Sequence, residues 1–152
     1  MSYQTVINQL KSCLGSASIF PGGTAHISIS DDKVYTLGKT PVAVIEVNPG
    51  LHHIRETFGG GHLHEWSIPI TVGAQWRDAT NGPTNLNAAW QGVMDQICKY
   101  PNLGLGGGGV IREAHVANAR LEPIVEQYGT LKFANVQLTV VVQEDVTVAE
   151  LE

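Results

Sequence analysis

The sequence predicts an α+β fold, a largely antiparallel β-sheet with an N-terminal helix and one long central helix packed on one face. Three observations lead there. Two segments repeat apolar residues at the spacing of an amphipathic helix, several others read as extended, and the links between extended segments are of hairpin length. With 152 residues the chain is bounded as a single domain, 1–152, long enough to bury a core without metal or disulfide staples.

Val6, Ile7, Leu10, Cys13 and Leu14 recur at intervals of three and four, so residues 3–14 form a helix that Ser2 can cap and Gly15 can end. Residues 15–41 hold Pro21, Gly22-Gly23, Asp31-Asp32, Gly38 and Pro41 and read as loop, with a short strand through His26-Ile27-Ser28-Ile29. Pro41 then opens the β-branched run Val42–Val47, bounded by Asn48-Pro49-Gly50 and expected to be buried on both faces. Leu51–Phe58 and His62–Trp76 make a long hairpin about Gly59-Gly60-Gly61. In its second arm Trp66, Ile68, Ile70 and Val72 share a face with Ala74 and Trp76, while Pro69 on the opposite face argues for an edge strand or a bulge.

Asp78–Pro83 reads as a polar turn. Leu86, Ala89, Trp90, Val93, Met94, Ile97 and Cys98 then trace the apolar stripe of the long helix, capped by Thr84 or Asn85 and stopped by Tyr100-Pro101-Asn102. Trp90 is expected in the core, and Trp66 and Trp76 beneath this helix. The glycine-rich segment 104–109 leads into an extended stretch, Val110–Leu121. After Pro123 and a turn near Gly129, residues 131–143 alternate Val136, Leu138, Val140 and Val142 with Asn135, Gln137, Thr139 and Val141 as a last strand. The acidic tail 144–152 is expected to fray.

Nine basic against fourteen acidic residues give a formal net charge of −5, and the basic residues are scattered singly, the opposite of a nucleic-acid reader's footprint. Charged residues make up 15% of the chain, below the globular average of about 25%, and glycine is abundant. That balance points to ordered loops or extensive contact surface. No apolar run reaches the roughly 18–20 residues of a membrane span, and Met1-Ser2-Tyr3-Gln4 opens no signal peptide, so a soluble protein made in the cytoplasm is expected. Cys13 and Cys98 both fall among apolar neighbours on helices and read as packed, inert free thiols, with a disulfide between them left open.

Gly104-Leu105-Gly106-Gly107-Gly108-Gly109 satisfies G-x-G-x-x-G in letters, but it follows a helix and precedes a strand, the reverse of a dinucleotide fingerprint, and no Lys-Ser or Lys-Thr completes a phosphate loop. His62 and His64 fall on one side of a strand, with His52 and His53 on the adjacent hairpin arm. Four imidazoles there would suit Zn²⁺ or Ni²⁺, although polar residues flanking a glycine turn are ordinarily solvent-facing and a protonatable subunit contact is an equal alternative. No serine sits in a G-x-S-x-G elbow, and the carboxylate pairs Asp31-Asp32 and Glu144-Asp145 read as solvated turns. No cofactor and no enzymatic activity are expected.

Together these residues resemble a known family. The N-terminal helix, the strand opening Pro41-Val42, the hairpin Thr57-Phe58-Gly59-Gly60-Gly61-His62-Leu63-His64-Glu65-Trp66-Ser67-Ile68-Pro69-Ile70, the helix ending Tyr100-Pro101-Asn102-Leu103-Gly104 and the two closing strands are similar to the tail terminator (tail completion) and minor tail, or neck, proteins of long-tailed bacteriophages. The similarity spans roughly residues 3–145. It implies a non-enzymatic virion protein, made in the host cytoplasm, that forms a homo-oligomeric, typically hexameric ring. Such a ring caps the tail tube and joins it to the head connector, so the partners implied are the tube protein, the connector protein and the chain itself. DNA would pass through the ring without sequence-specific binding, which the acidic balance permits. The intersubunit contacts expected on this reading are Phe58, Gly59, Gly60, Gly61, His62 and His64 in the hairpin and Asn102, Gly106 and Gly107 in the glycine-rich loop. The alternative is a small metal- or ligand-binding module built on His52, His53, His62 and His64.

Overall fold

The structure, a computed structural model, describes residues 3–20, 23–29, 41–46, 51–56, 62–75, 81–104, 111–128 and 131–146. It is an α+β fold. Helix α1 (Tyr3–Gly15) leads through a 3₁₀ turn, Gly23–His26, to strands β1 (Ile27–Ile29), β2 (Val42–Ile45), β3 (Leu51–Glu56) and β4 (His62–Gln75). Helix α2 (Asn81–Lys99) follows, then strands β5 (Ile111–Tyr128) and β6 (Leu131–Val146). The six strands form one sheet ordered β1-β2-β4-β6-β5, with β3 also paired to β4. Only β1 and β2 run parallel among these pairs.

Helix α1 buries Val6, Ile7, Leu10, Cys13 and Leu14, the stripe its spacing predicts. Thirteen residues make a helix that is marginal alone, and α1 has neither an acidic first turn nor a basic last turn to complement its dipole. Packing therefore holds it. Its stripe joins a cluster with Leu86, Ala89, Val93 and Ile97 of α2 and one face of the sheet, Ala43 and Ile45 of β2, Trp66, Ile68, Ile70 and Val72 of β4, and Val136, Leu138, Val140 and Val142 of β6. Each fully buried Val, Leu or Ile contributes about 1.5–3 kcal/mol, far more than any single cap or surface charge pair. The opposite face is closed too: Val42, Val44, Thr71, Phe133 and Asn135 are buried but lie outside that cluster. The expectation for β2, burial on both faces, is met at all four residues.

Several boundaries differ from the sequence reading. Helix α2 begins at Asn81, not at a cap on Thr84 or Asn85, because Pro83 in a first turn lacks only an N–H that has no intrahelical acceptor there. Cys98 is exposed. The buried position on that flank is Gln96, whose amide donates to the Cys13 carbonyl at 2.9 Å and to Ser16 Oγ at 2.8 Å, tying α2 to the end of α1. Trp90 is half-buried rather than central, its indole N–H donating to Asn87 Oδ1 at 3.0 Å.

Strand β4 is not an edge strand, despite Pro69. It lies between β6 and the tandem pair β2/β3. Ile45 pairs with Ile70 and Leu51 with Ser67, so the two pairings are separated by five residues of sequence on one side and by Ile68 and Pro69 alone on the other. Pro69 sits in this gap. Its carbonyl accepts from the Glu46 N–H at 3.1 Å, and in an antiparallel strand N–H and C=O of one residue point the same way, so the missing donor faces the interruption and leaves the β4/β6 ladder whole. Strand β5 continues through Pro123 to Tyr128 because it is an edge strand whose register shifts three times, the last between Arg120 and Ile124. Strand β6 extends to Val146, three residues beyond the expected end, so Glu144 belongs to the sheet and not to a frayed tail.

Candidate functional site

Of the predicted hairpin contacts, Phe58, Gly59, Gly60 and Gly61 lie outside the described residues, as do Gly106 and Gly107 of the glycine-rich loop, Trp76 and Asp31-Asp32. The arms that would carry the hairpin tip are in place: β3 and β4 pair antiparallel from Leu51↔Ser67 to Glu56↔His62. In that register His52 stands opposite Trp66 and His53 opposite Glu65. His62 and His64 stack with ring centroids 6.3 Å apart, and His64 lies 6.0 Å from the Trp66 ring. His64 is buried, contrary to the solvent-facing expectation, because it continues the inward alternation of Trp66, Ile68 and Ile70. Among the described residues no group of three or more His, Cys, Asp or Glu is arranged to hold a metal ion.

The same alternation on β6 carries Glu144 inward after Val140 and Val142. Glu144 is completely buried, opposite His64 in the register, and its Oε1 accepts the Trp66 indole N–H at 3.0 Å. It is therefore not the solvated turn residue expected from the Glu144-Asp145 pair. Trp66 packs beside Tyr3 of α1, centroids 5.2 Å apart, in the same core cluster as the α2 stripe. Tyr3 in turn donates its hydroxyl proton to the Glu46 carbonyl at 2.8 Å.

Burial pushes the Tyr3 hydroxyl up from 10.0 to about 12, with repulsion from the Glu46 carboxylate added, and burial pushes the Cys13 thiol up from 9.0 to about 11. Cys13 is thus a poor nucleophile. Both groups stay protonated in the fold over a range where the unfolded chain loses those protons, so stability falls with rising pH there. The decline is expected to run from pH 9.0 toward about 11 for Cys13 and from 10.0 toward about 12 for Tyr3. Urea titrations across this range should show a shallower alkaline slope in Tyr3→Phe than in the parent, whatever the variant's baseline. An unchanged slope would contradict the assignment.

At the foot of the glycine-rich loop, Asn102 Oδ1 accepts the Gly104 N–H at 3.2 Å. Leu103 adopts φ 58° and Gly104 φ 80°. A left-handed leucine costs about 1–2 kcal/mol. Here its side chain is fully buried, its N–H donates to the Tyr100 carbonyl at 2.8 Å, and its carbonyl accepts from Gln9 Nε2 at 2.7 Å. The Ala114 N–H bonds the Pro101 carbonyl at 2.6 Å, clamping the turn to β5. Tyr100-Pro101-Asn102-Leu103-Gly104 is thus a rigid pedestal from which the loop departs.

Exposed apolar side chains occur on the edge strand β5, where Leu121, Ile124 and Val125 are 41%, 51% and 48% exposed. The sequence signal for them is the pair Ile124-Val125 directly after Pro123, masked by the turn that Pro123 and Gly129 suggest. No helix is long and apolar enough to cross a membrane among the described residues. No protein-family model matches the chain, and no curated protein matches it.

Proposed function

We propose that the chain is a structural virion subunit, a ring-forming tail terminator that closes the phage tail tube and joins it to the head connector. The observation that supports it most is the exposed apolar trio on β5, at the open edge of the sheet. Monomeric proteins ordinarily blunt a long edge strand, and apolar side chains gathered on one mark a contact surface. The occupant of that surface is a second copy of the chain in a closed, heterologous ring. The sequence of elements supports the same reading: N-terminal helix, β3/β4 hairpin, long helix ending on the Tyr100–Gly104 pedestal, and two closing strands. The hairpin tip about Phe58–Gly61 and the loop from Asn102 to Gly109 supply the remaining contacts to neighbours, tube and connector.

Leu121→Lys and Val125→Lys place a charge in that contact without entering the core. Each is expected to weaken association by at least about 2 kcal/mol, roughly thirty-fold, while leaving the circular dichroism spectrum unchanged. Oligomers that persist undiminished in both variants would refute the β5 contact.

A further inference from the structure

The helix-free face of the sheet holds a cavity of about 250 Å³, smaller than the pockets of drug-sized ligands. Two adjacent rows of the sheet make its floor. One runs Val44, Thr71, Gln137, Arg120, and the next Val42, Gly73, Asn135, Ile124. Because β4 supplies Gly73 in the second row, no side chain stands beside Asn135 on its β4 side. On β5, Leu121, Glu122 and Pro123 intervene between Arg120 and Ile124, where β6 has Val136 alone between their partners. That bulge brings Glu122 to the cavity together with Arg120, and bulges commonly re-aim side chains at functional sites.

Asn135 is 2% exposed, lines the cavity, and its Nδ2 has no hydrogen-bond partner. A buried amide donor left open is rare and calls for an acceptor. Arg120 and Glu122 also line the cavity, are exposed, and form no ion pair with each other or with another described residue. We propose that this cavity binds a small zwitterion of the α-amino-acid class. The ligand carboxylate takes the Asn135 amide N–H and the buried Thr71 hydroxyl on the floor, with the Arg120 guanidinium over it. The ligand ammonium faces Glu122, with Glu46 beside it. A bare anion fits poorly, because the lining also holds the Glu122 carboxylate. A bare cation would leave Arg120 and the Asn135 donor unmet.

The proposal does not rest on the ring reading, since the site is complete within one copy. Calorimetric titration of the intact protein with glycine, L-alanine and L-glutamate, alongside acetate and methylammonium, tests it. At least one amino acid should bind saturably and shift the Asn135 side-chain amide resonances in ¹⁵N spectra, with acetate and methylammonium at least about ten-fold weaker. Arg120→Gln and Glu122→Gln, both at exposed positions, should each weaken binding by about ten-fold or more at unchanged fold. Absence of saturable binding by all three amino acids, equal binding of acetate, or affinity unchanged in both variants would each overturn it. Running the titration on Val125→Lys, outside the lining, keeps a failed ring distinct from a failed site.

Discussion

Glu144→Ala is expected to destabilise the chain by about 2–5 kcal/mol in urea denaturation, the largest loss at any polar position. Two effects add. The Trp66 indole N–H loses its acceptor inside the core, and an unpaired buried donor costs about 1–3 kcal/mol. The removed side chain also leaves a cavity at a site with no solvent exposure. The opposing effect, relief from burying a carboxyl group, is available to any apolar replacement but does nothing for the stranded indole. Glu144→Gln separates the contributions, since its amide oxygen can still accept from Trp66. It should retain most of the parent stability, and a loss equal to that of Glu144→Ala would show that the carboxylate charge, not the hydrogen bond, is what the core requires.

Gly92→Ala is the second large effect, and its sign is decided by competition. Helix propensity alone favours alanine in the interior of α2 by about 1 kcal/mol. A Cβ at this position, however, would meet Ile19 Cβ and Cγ2 at 2.9 Å, and Ile19 packs against the core cluster. Those atoms lie at the root of a β-branched side chain and cannot swing aside, so overpacking of about 1–3 kcal/mol outweighs the propensity gain. Net destabilisation is expected. Pairing it with Ile19→Gly, which removes Cβ and Cγ2 together, should recover the propensity gain, so the double variant should be less destabilised than the sum of the singles. Strict additivity would contradict the close approach of the 17–20 segment to α2.

The parts of the fold legible in sequence were those where one face is apolar and the other is not. The α1 stripe and the alternations Trp66–Val72 and Val136–Val142 needed only periodicity. The same rule, carried one step further along each strand, places His64 and Glu144 inside. Their polarity masked it, because a buried carboxyl group is tolerated only with a partner such as the Trp66 N–H, seventy-eight residues away, and no local pattern reveals that pairing. Pro69 and Pro123 misled for opposite reasons. Pro69 is hidden by a gap in the neighbouring strand, and Pro123 lies on a bulged edge where a missing donor is harmless. Of the candidate contacts, Asn102 lies directly after the helix as its sequence position indicates, and its side chain serves the turn itself. Asn135 and Glu122 were invisible as a pair, since a register shift in β5 brings them together.

Copies of this chain are proposed to associate into a closed ring. Light scattering of the purified protein over a concentration series, alone and with tail tubes added, tests it most directly. A discrete species near a hexamer, or a monomer that converts to one on tubes, is expected, with its loss in Leu121→Lys and Val125→Lys. A strict monomer at every concentration, indifferent to tubes, would contradict it.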